Sequence, residues 1–282
     1  MTARARRPVP VLVASDLDRT LIYSTKALRL HGEQPPVVCV EVHDGKEVSF
    51  MTAAAAQRLV VLAAAVTLVP VTTRVPDQFE RVTLPGPTPP YAVAANGGVL
   101  YVDGVPDATW SRSVAHTLAK TFPLATVWEH AGQVCRPEWT IKLRNAAGLF
   151  CYAVVHRDRL PAGFVDELSA WAVERGWRVS LQGRKLYCVP ESLTKSAAVA
   201  EVANRSGADL ILAAGDSLLD IDLLSSADFG IHPRHGELHE TAWSAPHVTQ
   251  TAEVGVCAGE EIIEWFVETA RVSDRAGGVR SG

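Results

Sequence analysis

Cysteine is scarce and scattered, with five residues at positions 39, 135, 151, 188 and 257 and no Cys-x-x-Cys pair. That number and spacing exclude a disulfide framework and offer no zinc site, so a reducing cytosol suits the chain best. A basic surplus is also missing. The formal net charge is -4 and the pI is near 6.1, which removes nucleic acid from the main partners. No apolar run is long enough to cross a bilayer; the best, Leu59 to Val71, is short and carries Thr67 and Pro70, so no membrane partner is expected. Arg4, Arg6 and Arg7 precede an apolar run as in a twin-arginine export signal, but Pro10 interrupts that run and Asp16 ends it. A loose basic tail is expected there instead. Internal repeats and low-complexity tracts are lacking. What remains is 282 residues, 48% hydrophobic and 21% charged, enough for one large or two modest globular domains.

The stretch that organises the chain is Pro8 to Thr20, PVPVLVASDLDRT. A short unbroken apolar run beside helical segments predicts a central strand of a parallel sheet, which is covered on both faces and need not alternate. Ligands of such sheets bind beyond the carboxyl ends of the strands, where Asp16 and Asp18 stand. Acids at i and i+2 can aim one carboxylate at a reacting atom while the other moves a proton, or they can share a divalent cation.

Val37–Val42 and Glu47–Phe50 flank Asp44-Gly45, a hairpin signal placed as a flap over that strand end. Thr52 to Ala65 predicts a crossover helix capped by Thr52, and Thr67 to Thr72 a second strand, completing a βαβ unit. The chain emerges at Thr72, Thr73 and Arg74, two hydroxyls and a guanidinium that can hold a phosphate. Tyr91–Ala95 predicts a third strand before Asn96-Gly97-Gly98, and Val99–Val105 a small hairpin.

Beyond Val105 the texture changes. A helix is expected over Ser111–Phe122 and strands over Thr126–Arg136, Trp139–Arg144 and Leu149–His156, from their aromatic and β-branched content. A helix over Pro161–Arg175 and strands over Trp177–Leu181 and Lys185–Val189 follow. The doubly wound pattern returns with a helix from Thr194 carrying Lys195 in its first turn, a strand Asp209–Ala214, and Gly215-Asp216-Ser217 opening the next helix. Short strands over Asp228–Ile231 and Pro246–Gln250 precede a closing helix over Glu260–Ala270. The fold class is α/β: a doubly wound parallel sheet with an inserted α+β cap. The domain expectation is core over 1–104 with the flap at about 21–50, cap over 105–189, core over 190–272 and a disordered tail over 273–282.

Asp16, Asp18, Thr72, Lys195, Asp216 and Asp220 all fall at strand ends or helix starts on one edge of the sheet. Several acids at one point repel unless a cation neutralises them, and hard oxygen donors indicate Mg²⁺. Lys195 supplies positive charge for a phosphate or a carboxylate nucleophile.

Asp16-Leu17-Asp18-Arg19-Thr20, Thr72 with Arg74, Lys195, and Gly215-Asp216-Ser217-Leu218-Leu219-Asp220 together resemble the four ordered motifs of the haloacid dehalogenase superfamily. The insertion resembles its C2-capped branch, which includes Cof-type and sucrose-phosphate phosphatases, and Ala95 to Tyr101 resembles that branch's asparagine-glycine segment. The resemblance implies an Mg²⁺-dependent phosphatase acting on a small phosphorylated metabolite in the cytoplasm. It implies Asp16 as nucleophile, Asp18 as general acid and base, and Asp16, the Asp18 carbonyl and Asp216 as metal ligands. Thr72, Thr73, Arg74, Asn96, Gly97 and Lys195 would hold the phosphate or substrate, and Asp220 would orient Lys195 or metal-bound water. Two positions depart from the family: Arg19 and Thr73 stand where glycine is common. On the lid, Trp128, Glu129, His130, Lys142, Arg144 and Arg184 are the candidate substrate contacts. A phosphomannomutase-like transfer within a sugar and a non-catalytic phosphometabolite-binding protein are the alternative functions. The sequence carries no signature of oligomeric state.

Overall fold

The computed structural model describes residues 10–28 and 35–276. The basic tail expected at Arg4 to Arg7 lies outside the described residues, as do most of the break at Leu30–Pro36 and the last six residues.

In chain order the elements are β1 (Val11–Ser15), β2 (Tyr23–Ser24), β3 (Val37–His43), β4 (Lys46–Thr52), α1 (Ala53–Ala65), β5 (Thr67–Pro70) and α2 (Pro76–Phe79). Next come β6 (Tyr91–Ala94), β7 (Val99–Val102), β8 (Val105–Pro106), α3 (Ala108–Leu118), α4 (Leu124–Val134), β9 (Thr140–Ala146) and β10 (Phe150–Val155). The remainder is α5 (Phe164–Val173), β11 (Trp177–Gln182), β12 (Lys185–Pro190), α6 (Lys195–Ser206), β13 (Leu210–Ala214), α7 (Ile221–Ser226), β14 (Phe229–His232), α8 (Glu237–Glu240), β15 (Val248–Gln250) and α9 (Val256–Ala276).

The core is a parallel sheet of order β15-β14-β13-β1-β5, and a parallel bridge between Val71 and Val93 brings β6 alongside β5. Strand β1 lies at its centre because all five of its residues are buried. Val11 and Val13 pack with Leu59, Leu62, Ile262 and Phe266 of α1 and α9, whereas Leu12 and Ala14 pack with Ala198, Val199 and Val202 of α6. An apolar residue at every position is what a strand with two covered faces requires. The expected hairpin is β3 and β4, joined with β2 in a three-stranded antiparallel sheet.

Between β8 and α6 lies the cap, a four-stranded antiparallel sheet of order β11-β12-β10-β9 backed by α3, α4 and α5. The expected strand over Thr126–Arg136 is instead helix α4. Val127 and Ala131 are buried, and Leu124, Trp128, Val134 and Cys135 pack on the cap core. That spacing is helical, and it outweighs the strand preference of the individual Val, Thr and Trp residues. Helix α3 starts earlier than expected because the Asp107 carboxylate accepts the Trp110 N–H at 2.8 Å and caps it. Helix α9 continues to Ala276, past Ser273 where disorder was expected. Among the described residues no helix is long and apolar enough to cross a membrane.

Candidate active site

The parallel register fixes where the first acid stands. Strands β1 and β13 run in step from Val11–Leu210 to Ser15–Ala214, and the Asp16 N–H then donates to the Ala214 carbonyl at 2.9 Å. Asp16 therefore leaves the sheet beside the Gly215-Asp216 turn that follows β13. Lys195 enters from a third direction as the first residue of α6, whose Thr194 hydroxyl caps the helix by accepting the Ala197 N–H at 3.2 Å. Its ammonium donates to Asp16 Oδ1 and to Asp220 Oδ1, each at 2.6 Å, and all three groups are buried. Burial by itself would lower the Lys195 pKa, but the two carboxylates hold it above its ordinary value.

Asp220 is fully engaged. Its Oδ2 accepts from the Asp216 N–H (3.1 Å), the Ser217 N–H (3.0 Å) and the Ser217 hydroxyl (2.7 Å). Gly215 makes that close turn possible, since a Cβ there would lie 2.4 Å from Asp220 Cβ and Cγ. Asp16 and Asp216 keep oxygen capacity. Asp16 Oδ2 has only a long 3.4 Å contact from Thr20, and Asp216 Oδ2 has Arg19 Nε at 3.5 Å.

Oxygens of Asp16, Asp216 and Asp220 lie within 4.8 Å of one another. Burial pushes both Asp16 and Asp216 up, Asp16 to about 7, with Lys195 opposing the rise at Asp16 and Arg19 opposing it at Asp216. Two under-bonded carboxylates repelling each other across such a gap fit a hard divalent cation. Asp16 and Asp216 are its available side-chain ligands, because Asp220 is consumed by Lys195 and by the turn.

Asp18 is placed differently. Arg74 grips it with two hydrogen bonds, 2.7 Å from Nε and 2.8 Å from Nη2, and Arg74 Nη1 lies 2.9 Å from buried Glu41 of the hairpin. Glu41 is held in turn by the Ser49 hydroxyl at 2.6 Å and by Arg81 at 3.3 Å. Desolvation would raise the Asp18 pKa, yet the Arg74 charge and its hydrogen bonds hold the carboxyl well below the usual range. Arg74, expected at a phosphate, thus has its donors on Asp18, Glu41 and the Gln78 carbonyl.

Thr72 and Thr73 are buried at the end of β5, with the Thr72 hydroxyl accepting the Arg74 N–H at 3.1 Å. Asn96 and Gly97, also expected at the phosphate, lie beneath the site. The Asn96 amide donates to the Leu193 carbonyl at 2.8 Å, its backbone N–H donates to Thr72 O, and a Cβ on Gly97 would sit 2.1 Å from Thr194 O. They brace the start of α6 against the end of β5, which sets where Lys195 points. Arg19 explains why glycine suits its position: its φ is +63°, in the left-handed region where a side chain is strained.

A cavity of about 600 Å³ opens between this edge and the cap, floored by Asp18, Arg19 and Asp216. The cap is tied over it. Core Glu237 accepts from the Ser180 hydroxyl at 2.6 Å and the Leu181 N–H at 2.7 Å, and Gln182 donates to Ser217 at 2.9 Å. Of the expected lid residues only Lys142 and Arg184 line the cavity. Trp128, Glu129 and His130 belong to α4 behind the sheet, where His130 stacks on Trp171 at 3.7 Å. Arg144 lies outside the lining. Tyr152, Gln182, Lys185 and Tyr187 line it unforeseen. Lys185 and Tyr187 stand two apart on β12 and so share one face of the sheet, although Tyr187 is buried like its neighbours Leu186 and Cys188.

No family model and no curated protein matches the sequence. Solved structures do match the fold. A sucrose-phosphatase from Synechocystis sp. PCC6803, solved with sucrose and phosphate, aligns at 17% identity over 92% of this chain and 98% of its own, with a TM-score of 0.61. A phosphatase of the haloalkanoate (HAD) enzyme superfamily from Bacteroides thetaiotaomicron aligns at 15% identity over 95% and 98%, with a TM-score of 0.52. A HAD subclass IIB sugar phosphatase aligns at 11% identity over 94% and 98%, again with a TM-score of 0.52. The parallel core, the inserted antiparallel cap and the acids at the strand ends together give this chain the fold of the HAD-superfamily phosphatases.

Proposed function

We propose that the protein is an Mg²⁺-dependent phosphatase that hydrolyses a small phosphomonoester, a sugar phosphate or similar metabolite, in the cytoplasm. The observation that carries this reading is Asp16: a buried carboxylate at the tip of the central strand, with Oδ1 on Lys195, Oδ2 holding only a long contact from Thr20, and Asp216 within 4.8 Å. Asp16 Oδ2 attacks phosphorus in line, the bond to the alcohol oxygen breaks, and an aspartyl-phosphate forms; water then cleaves the acyl phosphate and restores the carboxylate. Lys195 favours the ionised form of Asp16 against the effect of burial and offsets charge on the phosphoryl oxygens. Thr72 offers a hydroxyl to those oxygens from the end of β5.

Asp18 protonates the leaving oxygen and later takes a proton from the attacking water. Arg74 holds it as a carboxylate in the free protein, so Asp18 takes up a proton from solvent as the Arg74 clamp loosens, gives that proton to the leaving oxygen, and is then again the carboxylate that accepts the water's proton. Asp16, the Asp18 carbonyl and Asp216 would hold the magnesium, which would supply charge neutralisation at the phosphoryl group when bound. The fold shared with a sucrose-phosphatase and a sugar phosphatase supports a phosphorylated carbohydrate as the substrate class. The test is release of inorganic phosphate from p-nitrophenyl phosphate. Turnover with Mg²⁺ that disappears with EDTA and returns with added metal supports the reading, and turnover indifferent to EDTA refutes its metal dependence.

A further inference from the structure

The cavity holds more positive charge than one phosphate group accounts for. Its three acids are all engaged: Asp18 with Arg74, Asp216 with Arg19, and Glu240 with Arg157 at 3.2 Å. Four cations on its wall, Lys26, Lys142, Arg184 and Lys185, form no ion pair with any described residue. Three of them belong to the cap. Lys142 on β9 and Lys185 on β12 both stand opposite Val154 of β10, one on each side, so they share a sheet face. Directly opposed residues have Cβ atoms about 5 Å apart, which puts the two lysine stems about 10 Å apart, within reach of a common anion. Arg184 precedes Lys185 in the turn from β11, and Lys185 Nζ lies 5.8 Å from the Tyr152 ring centre on the cavity wall. Like charges gathered on one face are unfavourable until an anion joins them.

The groups assigned to the phosphoryl end, Asp16, Asp216, Lys195 and Thr72, lie on the core side, and of the cap cations Lys185 stands near enough to that edge for Asp18 to feel its charge. We infer that the alcohol released from the phosphate carries a second anionic group, a carboxylate or another phosphate, held by Lys142, Arg184 and Lys185. This rests on the phosphatase reading and narrows its substrate to a phosphomonoester bearing two separated negative groups.

Matched substrates test it. Glucose 6-phosphate against 6-phosphogluconate adds a carboxylate, and fructose 6-phosphate against fructose 1,6-bisphosphate adds a phosphate. In the wild type the anionic member of at least one pair is expected to have a kcat/KM about tenfold higher or more, and the pair that responds identifies the group. The advantage shrinks about tenfold in Lys142→Gln/Arg184→Gln/Lys185→Gln, and by a smaller factor in Arg184→Gln alone, whose exposed side chain is not needed for folding. A ratio within one variant cancels any general loss of activity. A ratio at or below one in both pairs, or a ratio unchanged in the triple variant, overturns the inference. If p-nitrophenyl phosphate is not hydrolysed with Mg²⁺, the phosphatase reading fails separately, and calorimetric binding of the same pairs decides: tighter binding of the anionic member, lost in the triple variant, upholds the second anion site, and equal binding overturns it.

Discussion

Lys195 beneath the catalytic edge and Lys185 on the cavity wall are held in opposite ways. On the core edge, Lys195 is fully buried and locked between Asp16 and Asp220. On the cap, Lys185 is partly exposed, rests against Tyr152 and has no carboxylate within ion-pair distance among the described residues. The core edge is a set of charges that answer one another and are fixed before anything binds. The cap face is a set of charges left for a ligand to answer. Chemistry that must be the same for every turnover needs the first kind of region, and recognition of a particular leaving group needs the second.

Breaking the core side should have the larger effect. Lys195→Met leaves two buried carboxylates facing each other, so in Mg²⁺-free buffer at pH 8 chemical denaturation should show a loss of about 3 to 5 kcal/mol. The loss should shrink with Mg²⁺ or at lower pH, since either neutralises the acids. A loss below about 1 kcal/mol would mean that the buried triad is not the charge unit described here.

The pH dependence of metal binding sharpens the same point. Asp16 and Asp216 are both raised by burial, Asp16 to about 7, so in the metal-free protein they hold protons that a cation must displace. Mg²⁺ affinity measured by calorimetry should rise from pH 6 toward pH 7, by up to about tenfold per unit for each proton released, and flatten above the highest of these pKa values. An affinity independent of pH from 6 to 8 would place the metal elsewhere.

The smallest effect is expected behind the cap sheet. Glu129 is exposed on α4 and lines no cavity. Glu129→Ala should change stability by no more than about 0.5 kcal/mol and kcat/KM by less than about twofold. A larger fall in kcat/KM at unchanged stability would return α4 to the substrate-facing side.

The same division runs through what the sequence made legible. Strand β1 was readable because Val11 to Ser15 is an unbroken buried run, and Lys195 because Thr194 marks a helix start. Both signals are local, and the parallel register then brings Asp16, Lys195, Asp216 and Asp220 together. The Arg74 clamp on Asp18 and Glu41 was not readable, because it joins residues from three separate elements and depends on where the hairpin packs. Helix α4 reads as a strand from its composition, since its Val and Trp residues favour strands one at a time while their spacing favours a helix. The cavity face of the cap was half-readable: Lys142 and Arg184 stood out by charge, whereas Tyr152 and Tyr187 needed the strand faces to be known.

The central claim concerns Asp16, and the most direct measurement is the kcat/KM of Asp16→Asn for p-nitrophenyl phosphate with saturating Mg²⁺. Asparagine keeps the shape and removes the nucleophilic oxygen, so the account predicts a fall of at least about 10³-fold in a protein that still unfolds cooperatively. Turnover within about tenfold of the wild type would contradict it.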